Sequence, residues 1–281
     1  MDEGQVKEAT VMMKKITQGR TAEIYEHGTD AILKLYVSGF PSQAIQEEWE
    51  VSCIAHERGL PVPKALEQLS LNGRSGIVFE RADGITLLEQ IIRDPAQADD
   101  YARKLAALHW EMHQWRAEDM LRPQQDLWRG HIMQAAELEE EEKRKIIRYM
   151  DRLPGGDRIC HGDFHPANVL MGQKDWILDW MTGTSGHPAG DVARTAILLQ
   201  HAILPEHSPV EVRQVFSTAR EQLAAVYLEH YCELSGLDEL DIQRWYLPVI
   251  AARLVEWVPD EERIKLLRLI REHLDVWQEE E

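Results

Sequence analysis

Cysteine is scarce in this 281-residue chain: Cys53, Cys160 and Cys232 are odd in number and far apart. That usage suggests neither a disulfide framework nor a zinc ribbon, and the three read as reduced, mostly buried thiols. Long apolar runs are also missing, since none approaches the roughly eighteen residues of a membrane span. The N-terminus, Met-Asp-Glu-Gly-Gln-Val-Lys-Glu, lacks a basic-then-apolar leader, so a cytoplasmic location is expected. Positive charge is short: 31 Lys and Arg against 49 Asp and Glu leave a net charge of −18. Such a balance argues against nucleic acid or an anionic membrane as partner and is compatible with a cationic small molecule. Much of it sits in the runs Glu137 to Glu142 and Gln278 to Glu281, the pattern of solvated helix faces and tails. What remains is 44% hydrophobic residues in a chain long enough for a large core and two lobes. No internal repeat is found.

The densest chemistry lies between Arg158 and Arg194. A carboxylate, Asp163, is followed five residues later by the carboxamide of Asn168, and eleven after that by a second carboxylate, Asp179. Asn168-Val-Leu-Met and Trp176-Ile-Leu-Asp179 flank Gly172-Gln173-Lys174-Asp175, the pattern of a hairpin. A turn centred between Gln173 and Lys174 sets Asn168 directly opposite Asp179. Paired Cβ atoms lie about 4.5 to 5.5 Å apart, so two oxygen ligands would converge on one cation. An oxygen-only pair suits Mg²⁺, with Asp163 as a base beside it. The competing reading makes Asp163 and Asn168 turn residues and Asp179 a strand-end cap.

His161-Gly162-Asp163-Phe164-His165-Pro166-Ala167-Asn168 resembles the catalytic loop of the aminoglycoside phosphotransferase and choline kinase-like families, which share the protein-kinase fold. Leu178-Asp179-Trp180 resembles their metal-binding Ile-Asp-Trp. The resemblance implies an α+β, two-lobed protein-kinase-like fold. Residues 1–83 would form a β-rich nucleotide lobe with its hinge, and residues 84–281 a helical lobe that holds the acceptor. It implies ATP and Mg²⁺ as cofactors and transfer of the γ-phosphoryl to a small-molecule hydroxyl, on an aminoglycoside-like compound or another amino or sugar alcohol. Asp163 is then the base, and Asn168 and Asp179 are the metal ligands.

The N-terminal third reads as strands at Val11–Thr17, Ala22–Glu26 and Ala31–Val37, with His27 to Asp30 as a turn. Lys34 sits mid-strand with Ile32 and Tyr36 on its face, where a covered ammonium needs an anionic partner. By resemblance Lys34 grips the α/β-phosphates. Gly59-Leu-Pro-Val-Pro63 resembles a common segment of these families, and counting back from it makes Glu48, rather than Glu47 or Glu50, the expected partner of Lys34. That helix opens at Pro41, stops at Gly59, and carries Ile45, Trp49 and Cys53 as a buried stripe. Gln18 to Glu23 has one glycine and resembles the glycine-poor nucleotide loop of these families, so Gly19 and Thr21 are carried over as nucleotide contacts. Lys64–Leu71, Asn72-Gly73 and Gly76–Glu80 form a second hairpin. Glu80 to Gly84 is the lobe boundary, where the resemblance implies adenine contacts from Glu80 and Ala82.

Past the boundary Tyr101, Leu105, Leu108, Met112 and Trp115 make a helical stripe. His109 and His113 share that helix, but Glu111 falls at the wrong offset for a metalloprotease and no third ligand is evident, so both read as structural. The loop resemblance makes His161 an anchor and His165 a residue beside the site. Asp191 is a helix N-cap by position, and by resemblance a hydrogen-bond support of the loop around Asp163. Three helices are expected at Val210–Leu234, Asp241–Val258 and Glu261–Trp277. Glu256, Asp260, Glu261 and Glu262 fit either recognition of substrate amino groups or the helix-dipole preference. Three other functions compete: a housekeeping kinase of choline, homoserine or sugar type, a non-catalytic nucleotide-binding regulator, and a metal-dependent hydrolase using His109, His113 or His165.

Overall fold

A computed structural model of the chain describes residues 13–117, 120–204 and 208–277. Val11 and Met12 of the first expected strand, and the acidic tail 278–281, lie outside the described residues. β1 (Lys15–Gln18), β2 (Ala22–Glu26), β3 (Ala31–Tyr36), β4 (Ala65–Leu71) and β5 (Arg74–Glu80) build an antiparallel sheet in the order β1-β2-β3-β5-β4. Alternation along β3 divides it cleanly. Ile32 and Tyr36 pack toward Ile45 and Ile77, while Leu33 and Leu35 meet Val78 on the other face. The β4–β5 turn places Asn72 at φ 51° and Gly73 at φ 75°, the paired left-handed residues of a type I′ hairpin.

Helix α1 (Ser42–Glu57) covers one face of this sheet. Its buried residues are Ile45, Glu48, Val51, Ser52 and Ala55, so the expected Ile45–Trp49–Cys53 stripe is corrected. The helix is turned so that Glu48 points inward, and Trp49 and Cys53 flank the contact. The three cysteines are free, and Cys160 alone is fully buried.

Beyond Glu80 the chain is mainly helical. A tight crossing at Gly84, φ 155°, has a reason: a Cβ there would stand 2.6 Å from the Met171 carbonyl oxygen. β6 (Ile85–Thr86) leads into α2 (Leu87–Arg93), capped by the Thr86 hydroxyl, which accepts the Glu89 N–H. Then follow α3 (Ala98–Met112), α4 (Gln124–Gln134), and α5 (Glu140–Met150), whose acidic start forms a Glu139/Glu142 capping box. β7 (Arg158–Cys160) pairs with β10 (Thr184–Gly186), and β8 (Val169–Met171) lies between β6 and β9 (Trp176–Ile177). Helix α6 (Pro188–His201) is buried along most of its length and packs against α7 (Val210–Ser235), which also packs along α3.

The expected helix Asp241–Val258 is two helices, α8 (Glu239–Gln243) and α9 (Tyr246–Arg253), before α10 (Asp260–Val276). The break follows from Pro248. In a continuous helix residue 248 would donate to the Arg244 carbonyl, and proline has no N–H. The Tyr149 hydroxyl donates to that carbonyl instead, at 2.9 Å. The α3 stripe also ends early: Met112 is buried, but Trp115 lies past the helix end and is exposed. No helix among the described residues is long and apolar enough to cross a membrane.

Candidate active site

The loop from His161 to Asn168 joins β7 to β8 and is held from below. Gly162 has φ 76°, and a Cβ on it would come within 2.5 Å of the Thr182 carbonyl oxygen, so glycine is required. Asp191, wholly buried on α6, takes the His161 N–H at 2.6 Å and the Gly162 N–H at 2.8 Å. It is not the cap of its helix. That role belongs to His187, whose Nδ1 accepts the Ala189 N–H, and Asp191 sits one turn further in. The His161 ring donates from Nε2 to the Leu178 carbonyl at 2.9 Å, and its Nδ1 accepts the Asp163 N–H at 3.2 Å. One imidazole thereby ties the loop to the strand leading to Asp179. Burial holds His161 below the ordinary histidine pKa.

Lys34 reaches the same place from the sheet. Its ammonium lies 2.6 Å from Glu48 and 2.9 Å from Asp179, while the Tyr36 hydroxyl donates to the other Glu48 oxygen at 2.6 Å. Burial alone would lower the Lys34 pKa. The two carboxylates outweigh it and hold the ammonium charged, above the ordinary lysine value. Of the three glutamates weighed on α1, Glu48 is the one that is buried and paired.

The hairpin register corrects one expectation. Val169 pairs with Ile177 and Leu170 with Trp176, so the residue facing Asn168 is Leu178, whose N–H donates to the Asn168 carbonyl at 2.8 Å. Asp179 lies one step beyond, with φ 63°. A left-handed aspartate leaves the strand direction, so its aim is set by this local turn and not by cross-strand pairing. The donor chemistry fits a hard cation. The Asn168 Nδ2 is committed to the Asp163 carbonyl at 3.0 Å, which leaves its Oδ1 as the free end, and the Asp179 carboxylate is 43% exposed.

Asp163 projects from the loop between a guanidinium and an imidazole. The Arg194 Nη2 lies 3.2 Å from one carboxylate oxygen and the His165 Nε2 3.5 Å from the other. Burial raises the Asp163 pKa, but His165, Arg194 and His161 outweigh it and keep the carboxyl well below the usual range.

Residues 13–242 match the phosphotransferase enzyme family. The chain belongs to that family. It is a phosphotransferase. Comparison with the curated proteins gives no match. Among solved structures, an aminoglycoside-3'-phosphotransferase of type VIII is similar at 18% identity and TM-score 0.58, over 85% of this chain and 93% of that one. The streptomycin–ATP ternary complex of APH(2'')-IIa is similar at 13% identity and TM-score 0.54, over 92% and 90%. APH(3'')-Id from Streptomyces rimosus ATCC10970, in complex with ADP and streptomycin, is similar at 16% identity and TM-score 0.51, over 85% and 92%. At these identities the likenesses speak for the fold, which is the two-lobed kinase-like one.

Within the phosphotransferase, the remaining residues singled out from sequence are more peripheral. Gly19 and Thr21 form the β1–β2 turn, closed by hydrogen bonds from Gly19 N–H to the Ala22 carbonyl and from Val37 N–H to the Thr21 carbonyl. Glu80 ends β5 with its N–H on the Lys64 carbonyl, and Ala82 lies in the crossing segment.

The histidine pair of α3 requires a correction, since Asp191 supplies the third ligand type that sequence reading lacked. The ligand atoms of His109, His113 and Asp191 lie within 4.8 Å of one another. Their hydrogen bonds nonetheless make a closed network. Asp191 can only accept, so the His109 Nε2 at 3.0 Å and the His113 Nε2 at 3.3 Å must carry protons toward it. The Nδ1 atoms then accept from the Tyr227 and Tyr231 hydroxyls, both at 2.6 Å. Each ring nitrogen is therefore spoken for, and the cluster serves as the floor under His161 and Gly162. Burial pushes the His109 pKa down to about 3, in keeping with a neutral ring there. Arg194, Tyr227 and Tyr231 were not foreseen. Only the position of Arg194, one turn after Asp191 on a helix facing the loop, offered a signal.

Proposed function

We propose that this phosphotransferase moves the γ-phosphoryl group of ATP to a hydroxyl of a small molecule, with Mg²⁺ at Asn168 and Asp179. The observation that carries the reading is the Lys34 ammonium, buried between Glu48 and Asp179 at 2.6 and 2.9 Å. A protein kinase uses such a lysine, oriented by a helix glutamate, to hold the α/β-phosphates. Two of the similar structures contain ATP or ADP with streptomycin, which supports a nucleotide and a small hydroxyl compound as the substrate pair. In this reading residues 1–83 are the nucleotide lobe, with Gly19 and Thr21 over the phosphates and main-chain groups of Glu80 and Ala82 at the adenine. Residues 84–281 hold the acceptor, and the enzyme works in the cytoplasm.

Phosphoryl transfer asks mainly for positioning and charge neutralisation. Mg²⁺ held by Asn168 and Asp179 would supply part of that neutralisation. Lys34 supplies more. Asp163 orients the acceptor hydroxyl and accepts its proton, while His161 and Asp191 hold the loop still.

A housekeeping acceptor with few amino groups is the second reading, and one observation favours it. Glu256, which shares the Arg194 guanidinium with Asp163, is already bound by Arg194 and Arg253 at 2.7 Å each. The functional test is a thermal-shift series with MgATP and MgGTP, then kanamycin, streptomycin, choline and homoserine. Stabilisation by MgATP that Asp179→Ala removes is expected, with a further shift from one acceptor class. No response to either nucleotide would reject the reading.

A further inference from the structure

We propose that Arg194 is a positioning residue for Asp163, and that Glu256, in the loop between α9 and α10, holds Arg194 in place. This rests on the phosphotransferase reading above. Arg194 is 5% exposed, and its guanidinium is committed on every edge. Nε donates to the Gly162 carbonyl at 3.0 Å, and Nη2 donates to the Asp163 Oδ1 at 3.2 Å and to the Glu256 Oε2 at 2.9 Å. Nη1 meets the Glu256 Oε1 at 2.7 Å. One rigid fork thus grips the main chain just before Asp163, the Asp163 carboxylate, and a carboxylate from the far end of the chain. A planar guanidinium can set several directions at once, which a lysine ammonium does only as a point charge.

Glu256 is itself anchored. The Arg253 Nη1 lies 2.7 Å from it, Arg253 meets the buried Glu262 at 2.6 Å, and the Glu262 Oε2 accepts the Ile203 N–H at 2.9 Å. Charges therefore alternate in sign from Asp163 through Arg194, Glu256 and Arg253 to Glu262, which ends on the backbone just past α6. Buried ions are tolerable only when each has such partners, and removing one strands its neighbours. The chain has a reason to be continuous.

The loop that carries Glu256 also meets the nucleotide side. Its next residue, Trp257, accepts a hydrogen bond at its carbonyl from the Arg20 Nη1 at 2.9 Å, and the Arg20 guanidinium stands 5.9 Å from the Trp257 ring centre. Arg20 lies between Gly19 and Thr21 in the β1–β2 turn. Glu256 is thus part of a segment that touches both the turn over the phosphates and, through Arg194, the base. Since the rate of transfer depends on the direction of Asp163, loosening this chain should slow chemistry without weakening nucleotide binding.

The test compares Arg194→Met, Arg194→Lys and Glu256→Gln with the wild type. Three quantities are read: melting temperature, Kd for MgATP, and ADP formation from MgATP with water, kanamycin or streptomycin as acceptor probe. The Kd for MgATP should stay at its wild-type value, and kcat should fall by about tenfold or more in Arg194→Met. Arg194→Lys and Glu256→Gln should lose less, with KM for the probe unchanged in all three. A purely structural role would lower the melting temperature while kcat of the folded fraction held, and that result overturns the proposal. Should Arg194→Met not fold, wild-type kcat in both milder variants overturns it equally. Where the wild type binds MgATP but turns over no probe, the crystal structure of Arg194→Met decides. A turned Asp163 carboxylate supports the proposal, and an unmoved one overturns it. Failure of the wild type itself to bind MgATP would remove the phosphotransferase reading and this proposal together, and it is seen before any variant is made.

Discussion

Two buried charged residues, one on each side of the cleft, are held in opposite ways. Lys34 is surrounded by formal charges, and one of its partners, Asp179, is 43% exposed and therefore able to exchange partners when a ligand arrives. Asp191 is surrounded by neutral donors, two backbone N–H groups and two imidazoles, and is wholly closed off. The difference separates two tasks. Charge pairing at Lys34 leaves an interaction that another anion can take over, whereas the donors around Asp191 fix the loop whether or not a ligand is present.

Breaking the Asp191 side should give the largest effect. Asp191→Ala strands the His161 and Gly162 N–H groups and both ring donors, and should cost about 3–5 kcal/mol of stability in chemical denaturation. Asp191→Asn, which keeps an accepting oxygen, should cost less. Lys34→Met comes next and acts on function. Turnover with MgATP should fall by about a hundredfold or more, as when one preorganised charge is removed from an active site, and the MgATP-induced thermal shift should shrink with it.

A pH titration sharpens the comparison, because Lys34 and the His109 ring that donates to Asp191 sit on opposite limbs. His109 has its pKa lowered from 6.5 to about 3 in the folded chain. Between those values the unfolded chain binds a proton that the folded chain refuses, so stability contributed by the neutral ring falls as pH drops through that window. His109→Gln should flatten this acid limb in a plot of unfolding free energy against pH. Lys34, raised above the ordinary lysine value, contributes below that value and loses its contribution only on the strongly alkaline side. The smallest effect is expected from Tyr231→Phe, which removes a single hydroxyl donated to His113, at about 1 kcal/mol by thermal unfolding.

Much of this was legible in the sequence, and the gaps have physical causes. Strand alternation around Lys34, the Asn72-Gly73 turn and the loop from His161 to Asn168 all rest on local patterns, and the choice of Glu48 rested on a family resemblance. The family and the kinase-like fold followed from that loop. The Asn168–Asp179 pairing failed by one residue because the hairpin is centred on Gln173 and not between Gln173 and Lys174, a choice of turn that the sequence Gly172-Gln173-Lys174-Asp175 does not decide. The α1 stripe failed because a buried ion pair overrode apolar periodicity. Asp191 as third member of the histidine cluster is 82 residues from His109, a contact that only tertiary folding makes. The split between α8 and α9 was readable at Pro248 and went unread. Arg194 offered only its place one turn after Asp191, and nothing in its neighbours announces the carboxylates it meets.

The claim that Lys34, Asn168 and Asp179 form one nucleotide–metal site is tested most directly by titrating ATP into the wild type and Asp179→Asn, each with Mg²⁺ and with EDTA. Wild-type affinity should rise markedly with Mg²⁺, and that dependence should vanish in Asp179→Asn. Equal ATP affinity with and without Mg²⁺ in the wild type would contradict the claim.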